Sequence, residues 1–207
     1  MIAKVLGVDF DNTIVCYDEI FYRVATERKL IPADLSKTKE QVRDYLRRVG
    51  CEDDWTEMQG YVYGSRMADV KPFPGAIECM TAAVKAGVSV AIISHKTRTP
   101  YLGHPYDLHS AARGWIQQQG FFDPDRIGMK ETQVFFLETK QMKLEQISRC
   151  GCRWFIDDLP EFFLEGDFPD NVERLLFDPA NSFSEDQTTT IRRFDSWADI
   201  GNYLEVL

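Results

Sequence analysis

The sequence is short of basic residues, of histidine and of long apolar runs. No apolar stretch approaches the roughly 20 residues that a bilayer-spanning helix needs, which argues against a helical membrane span. Lysine and arginine number 24 against 33 acids, a formal charge of -9. Sequence-independent binding to nucleic acid or to an anionic membrane needs a basic surface, so neither partner is expected. Cysteine is sparse and scattered: Cys16, Cys51, Cys79, Cys150 and Cys152 are an odd set, not a disulfide framework. The three histidines, His95, His104 and His109, lie in one short segment, but their spacing matches no zinc pattern. Ordinary loop histidines are the simpler reading, with a substrate pocket or second metal site as the alternative. There is no internal repeat, low-complexity tract or signal-peptide pattern, and a reducing, cytoplasmic setting is expected.

What is there suits one domain carrying an insertion. The chain has 207 residues, of which 44% are hydrophobic and 13% aromatic, enough for a sizeable core. Val5 to Val8 form an apolar run of strand length. Further strands are predicted at Val88 to Ile93, Gln133 to Leu137, Arg153 to Ile156 and Arg174 to Phe177. Helices are predicted at Ala76 to Ala86, Leu108 to Gln119, Lys140 to Cys150 and Ser196 to Leu204. Strands alternating with helices argue for a parallel sheet covered on both faces, a Rossmann-like three-layer α/β/α sandwich. Residues 16–73 are more polar, with helical patterns at Ile20 to Lys29 and Lys37 to Val49. The expected division is therefore a core of 1–15 and 74–207 and a small helical insertion of 16–73. Phe121, Phe122, Phe135, Phe136, Phe162 and Phe163 read as core, and Glu52, Asp53 and Asp54 as a solvated turn.

Ionisable residues cluster where the predicted strands end. The first strand ends at Asp9 and Asp11, the second at Ser94 and the fourth at Asp157 and Asp158, while Lys143 lies on the helix before the fourth. All carboxyl ends of a parallel sheet lie on one edge, where such sheets bind ligands. Acids in excess of lysine at that edge imply a divalent cation, and oxygen ligands suit Mg²⁺. A lysine and a hydroxyl beside Mg²⁺ are what a phosphoryl group needs to offset the charge on its oxygens.

On these residues the chain resembles the haloacid dehalogenase (HAD) superfamily of hydrolases, specifically its phosphatase branch. Its four motifs are matched in order by Asp9, Asp11 and Thr13 after an apolar strand, by Ala91-Ile92-Ile93-Ser94, by Lys143, and by Phe155-Ile156-Asp157-Asp158. The resemblance implies that Asp9 attacks phosphorus to form an aspartyl-phosphate, and that Asp11 serves as acid and then base. It implies that Ser94 and Lys143 bind the phosphoryl oxygens, and that Asp9, Asp158 and the carbonyl of Asp11 coordinate Mg²⁺ with support from Asp157. The insertion would be a cap over the site, and the substrate a small phosphate monoester. Lys140, one turn earlier, is the rival of Lys143. Lys96 and Arg98, with Tyr101, would meet a second anionic group of the substrate. Asn12 stands where many members have glycine, and the turn is expected to survive because Asn tolerates unusual backbone angles. A phosphotransferase, a phosphonate-cleaving relative using a cap lysine such as Lys29, Lys37 or Lys39, and a non-catalytic binding protein are the alternatives.

Overall fold

The computed structural model describes residues 4–183 and 191–206. Its centre is a sheet of six strands in the order β5-β4-β1-β6-β7-β8. These are β1 (Val5–Val8), β4 (Ser89–His95), β5 (Val134–Leu137), β6 (Cys152–Asp157), β7 (Glu173–Phe177) and β8 (Arg192–Phe194). Every neighbouring pair is parallel. Two further short strands, β2 (Val15–Cys16) and β3 (Lys71–Pro72), pair with each other. Strand β1 is central and pairs on both sides, with Val8 opposite Ile92 of β4 and Ile156 of β6.

The period-two alternation of strands decides which helices cover which face. Ala91, Ile93, Phe155 and Leu176 point into a cluster closed by Leu144 and Ile147 of α6 (Lys140–Cys150) and by Phe162 and Phe163 of α7 (Pro160–Phe163). On the other face Phe177 meets Trp197 of α8 (Trp197–Tyr203), ring centroids 5.8 Å apart. Helix α8 packs in turn on α4 (Ala76–Lys85). Glycine is required at position 7: a Cβ there would lie 2.5 Å from the ring of Phe155 and 2.8 Å from the sulfur of Cys152.

The chain divides into two compact units. The first, Met1–Val15, Pro72–His95 and Gly120–Leu207, holds the six-stranded sheet and its helices. The second takes Cys16–Lys71 together with Lys96–Gln119. The expected division gave residues 96–119 to the core; they belong instead to the helical unit. The reason is the apolar face of α5 (Leu108–Gln118), where Leu108, Ala112, Trp115 and Ile116 are buried. The indole N–H of Trp115 donates to the carbonyl of Val70 at 2.8 Å, fastening α5 to the end of the earlier segment.

The rest of this unit is α1 (Asp18–Glu27), α2 (Lys39–Arg48) and α3 (Glu52–Gly64). Thr38 caps α2 by accepting from the backbone of Gln41, as short hydroxyl side chains do at helix starts. Phe21 of α1 lies 4.9 Å from Trp55 of α3, centroid to centroid, and these rings anchor the unit's core. Glu52, Asp53 and Asp54, read as a turn, form the first turn of α3, where carboxylates meet the positive end of the helix dipole. No helix among the described residues is long and apolar enough to cross a membrane.

Candidate active site

The first unit brings Asp9, Asp11, Ser94, Lys143, Asp157 and Asp158 to the carboxyl edge of its sheet. Asp9 follows β1 directly, and its backbone N–H still donates to Ile156 of β6 at 2.9 Å. The chain then turns back, with Ile14 and Val15 both donating to the carbonyl of Phe10. Asn12 makes that turn possible by adopting φ +57°, the left-handed region that asparagine enters more readily than most residues. Ser94 is buried next to the end of β4, opposite Phe136 of β5.

Lys143 organises the site. Its Nζ donates to Oδ1 of Asp9 at 2.6 Å and to Oδ2 of Asp157 at 2.6 Å. All three side chains are buried. The N-cap of Thr139 starts α6 by accepting from Met142, so Lys143 sits one turn in, level with the strand ends. Lys140, its rival, is half exposed and pairs with Glu165 at 3.2 Å.

One ammonium thus faces two carboxylates, and the trio carries one acid too many. Burial pushes Asp9 up to about 7; Lys143 pulls it down, while Asp157 and Asp11 add to the rise. Burial opposes the charge of Lys143, yet Asp157 and Asp9 hold it above the usual lysine range. Both shifts are upward, but their causes differ: burial lifts Asp9, whereas the two flanking carboxylates lift Lys143.

That surplus is the test for a cation. Asp9, Asp157 and Asp158 each offer a carboxylate oxygen, and these lie within 4.8 Å of one another. An all-oxygen donor set of this charge fits Mg²⁺. The carboxylate of Asp11 is outside that group; its half-buried side chain belongs to the same loop. Asp158 accepts from the hydroxyl of Thr13 at 3.4 Å, and Oδ1 of Asp157 accepts from the backbone of Leu159 at 3.0 Å.

The remaining candidates divide between the two units. His95, beyond Ser94, is in the first unit, with Nε2 3.2 Å from the carbonyl oxygen of Glu138. The residue is exposed, and partial desolvation of its ring holds the pKa below the usual histidine value. Lys96, Arg98, His104 and His109 are in the second unit. There Lys96 is buried with its Nζ 4.8 Å above the ring of Tyr63, and Arg98 is exposed and pairs with Asp107 at 3.0 Å. His109 lies against the carbonyl of Lys96, and His104 against Tyr106. Among the described residues, the group of candidate metal ligands is Asp9, Asp157 and Asp158, and no histidine belongs to it. Sequence reasoning placed Phe162 in the core without linking it to Lys143, whose Nζ lies 4.2 Å from its ring centroid.

Neither a protein-family model nor a curated protein sequence matches the chain. Solved structures do. The HAD hydrolase YfnB from Bacillus subtilis, solved with bound magnesium, is similar at a TM-score of 0.62 and 12% identity over 99% of each chain. A HAD family hydrolase from Deinococcus radiodurans R1, with bound phosphate and sodium, has a TM-score of 0.60 at 16% identity, covering 98% of this chain and 95% of its own. A predicted phosphoglycolate phosphatase from Haemophilus somnus 129pt has a TM-score of 0.59 at 14% identity over 98% of each. The fold is that of the HAD superfamily hydrolases. Fold at such identities does not carry function, which rests on the residues themselves.

Proposed function

We propose that this protein is a HAD-type hydrolase that cleaves phosphate monoesters of small molecules, with Asp9 as nucleophile. The observation that carries this reading is the buried ammonium of Lys143, 2.6 Å from both Asp9 and Asp157. A carboxylate at a strand end, beside a fixed cation and a buried hydroxyl, suits attack on a group whose oxygens are anionic.

In the first step an oxygen of Asp9 bonds to phosphorus and the ester P–O bond breaks. The leaving oxygen takes the proton of Asp11. In the second step Asp11, now a carboxylate, takes a proton from water as that water attacks phosphorus. The bond from Asp9 to phosphorus breaks, and alcohol and phosphate result. Ser94 and Lys143 would bind the phosphoryl oxygens throughout. Mg²⁺, held by Asp9, Asp157 and Asp158, would neutralise phosphoryl charge. Substrate choice is proposed to lie in the helical unit, through Lys96 and Arg98.

The test is phosphate release from an aryl phosphate, with and without Mg²⁺, by the wild type and by Asp9→Asn. Mg²⁺-dependent turnover abolished by the substitution is expected. Absence of turnover on the aryl ester and on a panel of metabolite phosphates would overturn the reading.

A further inference from the structure

We propose that Phe162 is a positioning residue for Lys143, its ring face holding the ammonium where it meets Asp9 and Asp157. The consequence for phosphoryl binding rests on the phosphatase reading above; the positioning itself does not.

The geometry begins with what a buried ammonium requires. Lys143 is 4% exposed, so its charge has lost nearly all its water, a large cost unless protein groups replace it. Asp9 and Asp157 accept two hydrogen bonds from it. Aromatic faces are the other partners: Nζ lies 4.2 Å from the ring centroid of Phe162 and 5.4 Å from that of Phe155. A ring face is negative and attracts a cation within about 6 Å, most strongly where water is excluded. Phe162 at 4.2 Å is well inside that range, and it is 2% exposed.

The chain builds this contact from the site itself. Oδ2 of Asp157 takes the ammonium, while Oδ1 takes the N–H of Leu159. The second bond turns the chain directly after the Asp157-Asp158 pair. Pro160 then opens α7 at a position that suits proline, and Phe162 follows two residues on. One carboxylate therefore sets both the cation and the ring that faces it. Phe155, Phe163 and Phe168 hold the ring, with centroids 5.9, 6.2 and 5.9 Å away.

Bulk packing alone makes a different prediction, and Phe163 separates the two. It is fully buried in the same cluster, but among the described residues it is Phe155 and Phe162, not Phe163, that present a ring to Lys143. If Phe162 acts only as core, Phe162→Leu and Phe163→Leu should behave alike.

Two measurements on the full chain test this. The first is the exchange rate of the Lys143 ammonium protons with water, read by NMR. The second is the affinity for inorganic phosphate, read by calorimetry. Phe162→Leu is expected to speed the exchange and weaken phosphate about tenfold, the equivalent of ~1.4 kcal/mol. Phe163→Leu should change neither, although both variants lose thermal stability. A fluorinated phenylalanine at 162, with the same shape but a less negative face, should fall between wild type and Phe162→Leu. Equal effects of the two leucine variants, or a fluorinated ring that behaves as wild type, would overturn the proposal. Faster exchange in Phe162→Leu alone, with a wild type that neither binds phosphate nor turns over phosphate esters, would uphold the positioning role and remove the phosphatase reading.

Discussion

The indole N–H of Trp197 donates to the backbone carbonyl of Thr13 at 3.1 Å, both residues buried. The bond ties α8, near the end of the chain, to the loop that follows Asp9 and Asp11 near its beginning. Trp197→Phe keeps an aromatic ring beside Phe177 but strands a buried carbonyl. It should cost about 1–3 kcal/mol, measured by urea unfolding, and it should lower turnover because the loop of Asp11 loses a fixed point.

Lys143 and Lys140 should behave oppositely. Lys143→Met leaves Asp9 and Asp157 buried without their shared cation, and removing one partner of such a set costs roughly 3–5 kcal/mol. It should also reduce kcat by about a hundredfold or more, the scale of losing a fixed charge at a developing anion. Lys140→Met breaks a half-exposed pair with Glu165, worth at most about 1 kcal/mol. Unfolding curves and steady-state kinetics on the two variants would check both halves.

Asp9 gives the metal-free protein a pH dependence whose sign follows from its shift. Its carboxyl is pushed from 3.8 up to about 7, chiefly by burial. The folded state therefore keeps a proton that the unfolded chain releases between about pH 4 and 7. The stability contributed by that proton is present at low pH and is lost as pH rises through the window. Mg²⁺ competes with the same proton, so its apparent affinity should weaken as pH falls below about 7. Thermal unfolding from pH 5 to 8, with and without Mg²⁺, should show curves that diverge towards the alkaline end. Asp9→Asn should flatten the metal-free curve.

In the helical unit, Gly64 at the end of α3 meets Tyr106, and a Cβ added at Gly64 would lie 2.4 Å from both Cβ and Cγ of that tyrosine. The Cβ of Tyr106 is fixed to the backbone and cannot swing aside. Gly64→Ala should destabilise by about 1–3 kcal/mol, the usual cost of overpacking, while Gly50→Ala, facing open space at φ +78°, should lose stability through backbone strain alone. Proteolysis of this unit, followed residue by residue, would locate the first loss at the 96–107 segment in Gly64→Ala.

Much of the sheet was legible because a buried parallel strand announces itself as an apolar run closed by turn residues. Val5 to Val8, Ile92-Ile93 and Phe155-Ile156 are such runs, and the ionisable residues at their ends mark the edge where Asp9, Ser94 and Asp157 meet. Strands β2 and β3, at two residues each, and β8, at three, are too short to show a period. Helix α3 was hidden because Gly60 and Gly64 interrupt its pattern and its acids resemble a turn. Two decisions belonged to tertiary structure alone. One is that α5 joins the helical unit, which depends on the reach of Trp115 to Val70, 45 residues away. The other is that Phe162 lies over Lys143, a contact made when the turn at Asp157 brings α7 back towards α6. By itself the sequence determined which residue types stand at each strand end, because that is written in local spacing. Which lysine meets the carboxylates, and which ring faces it, was decided only where the folded chain brings distant segments into direct contact.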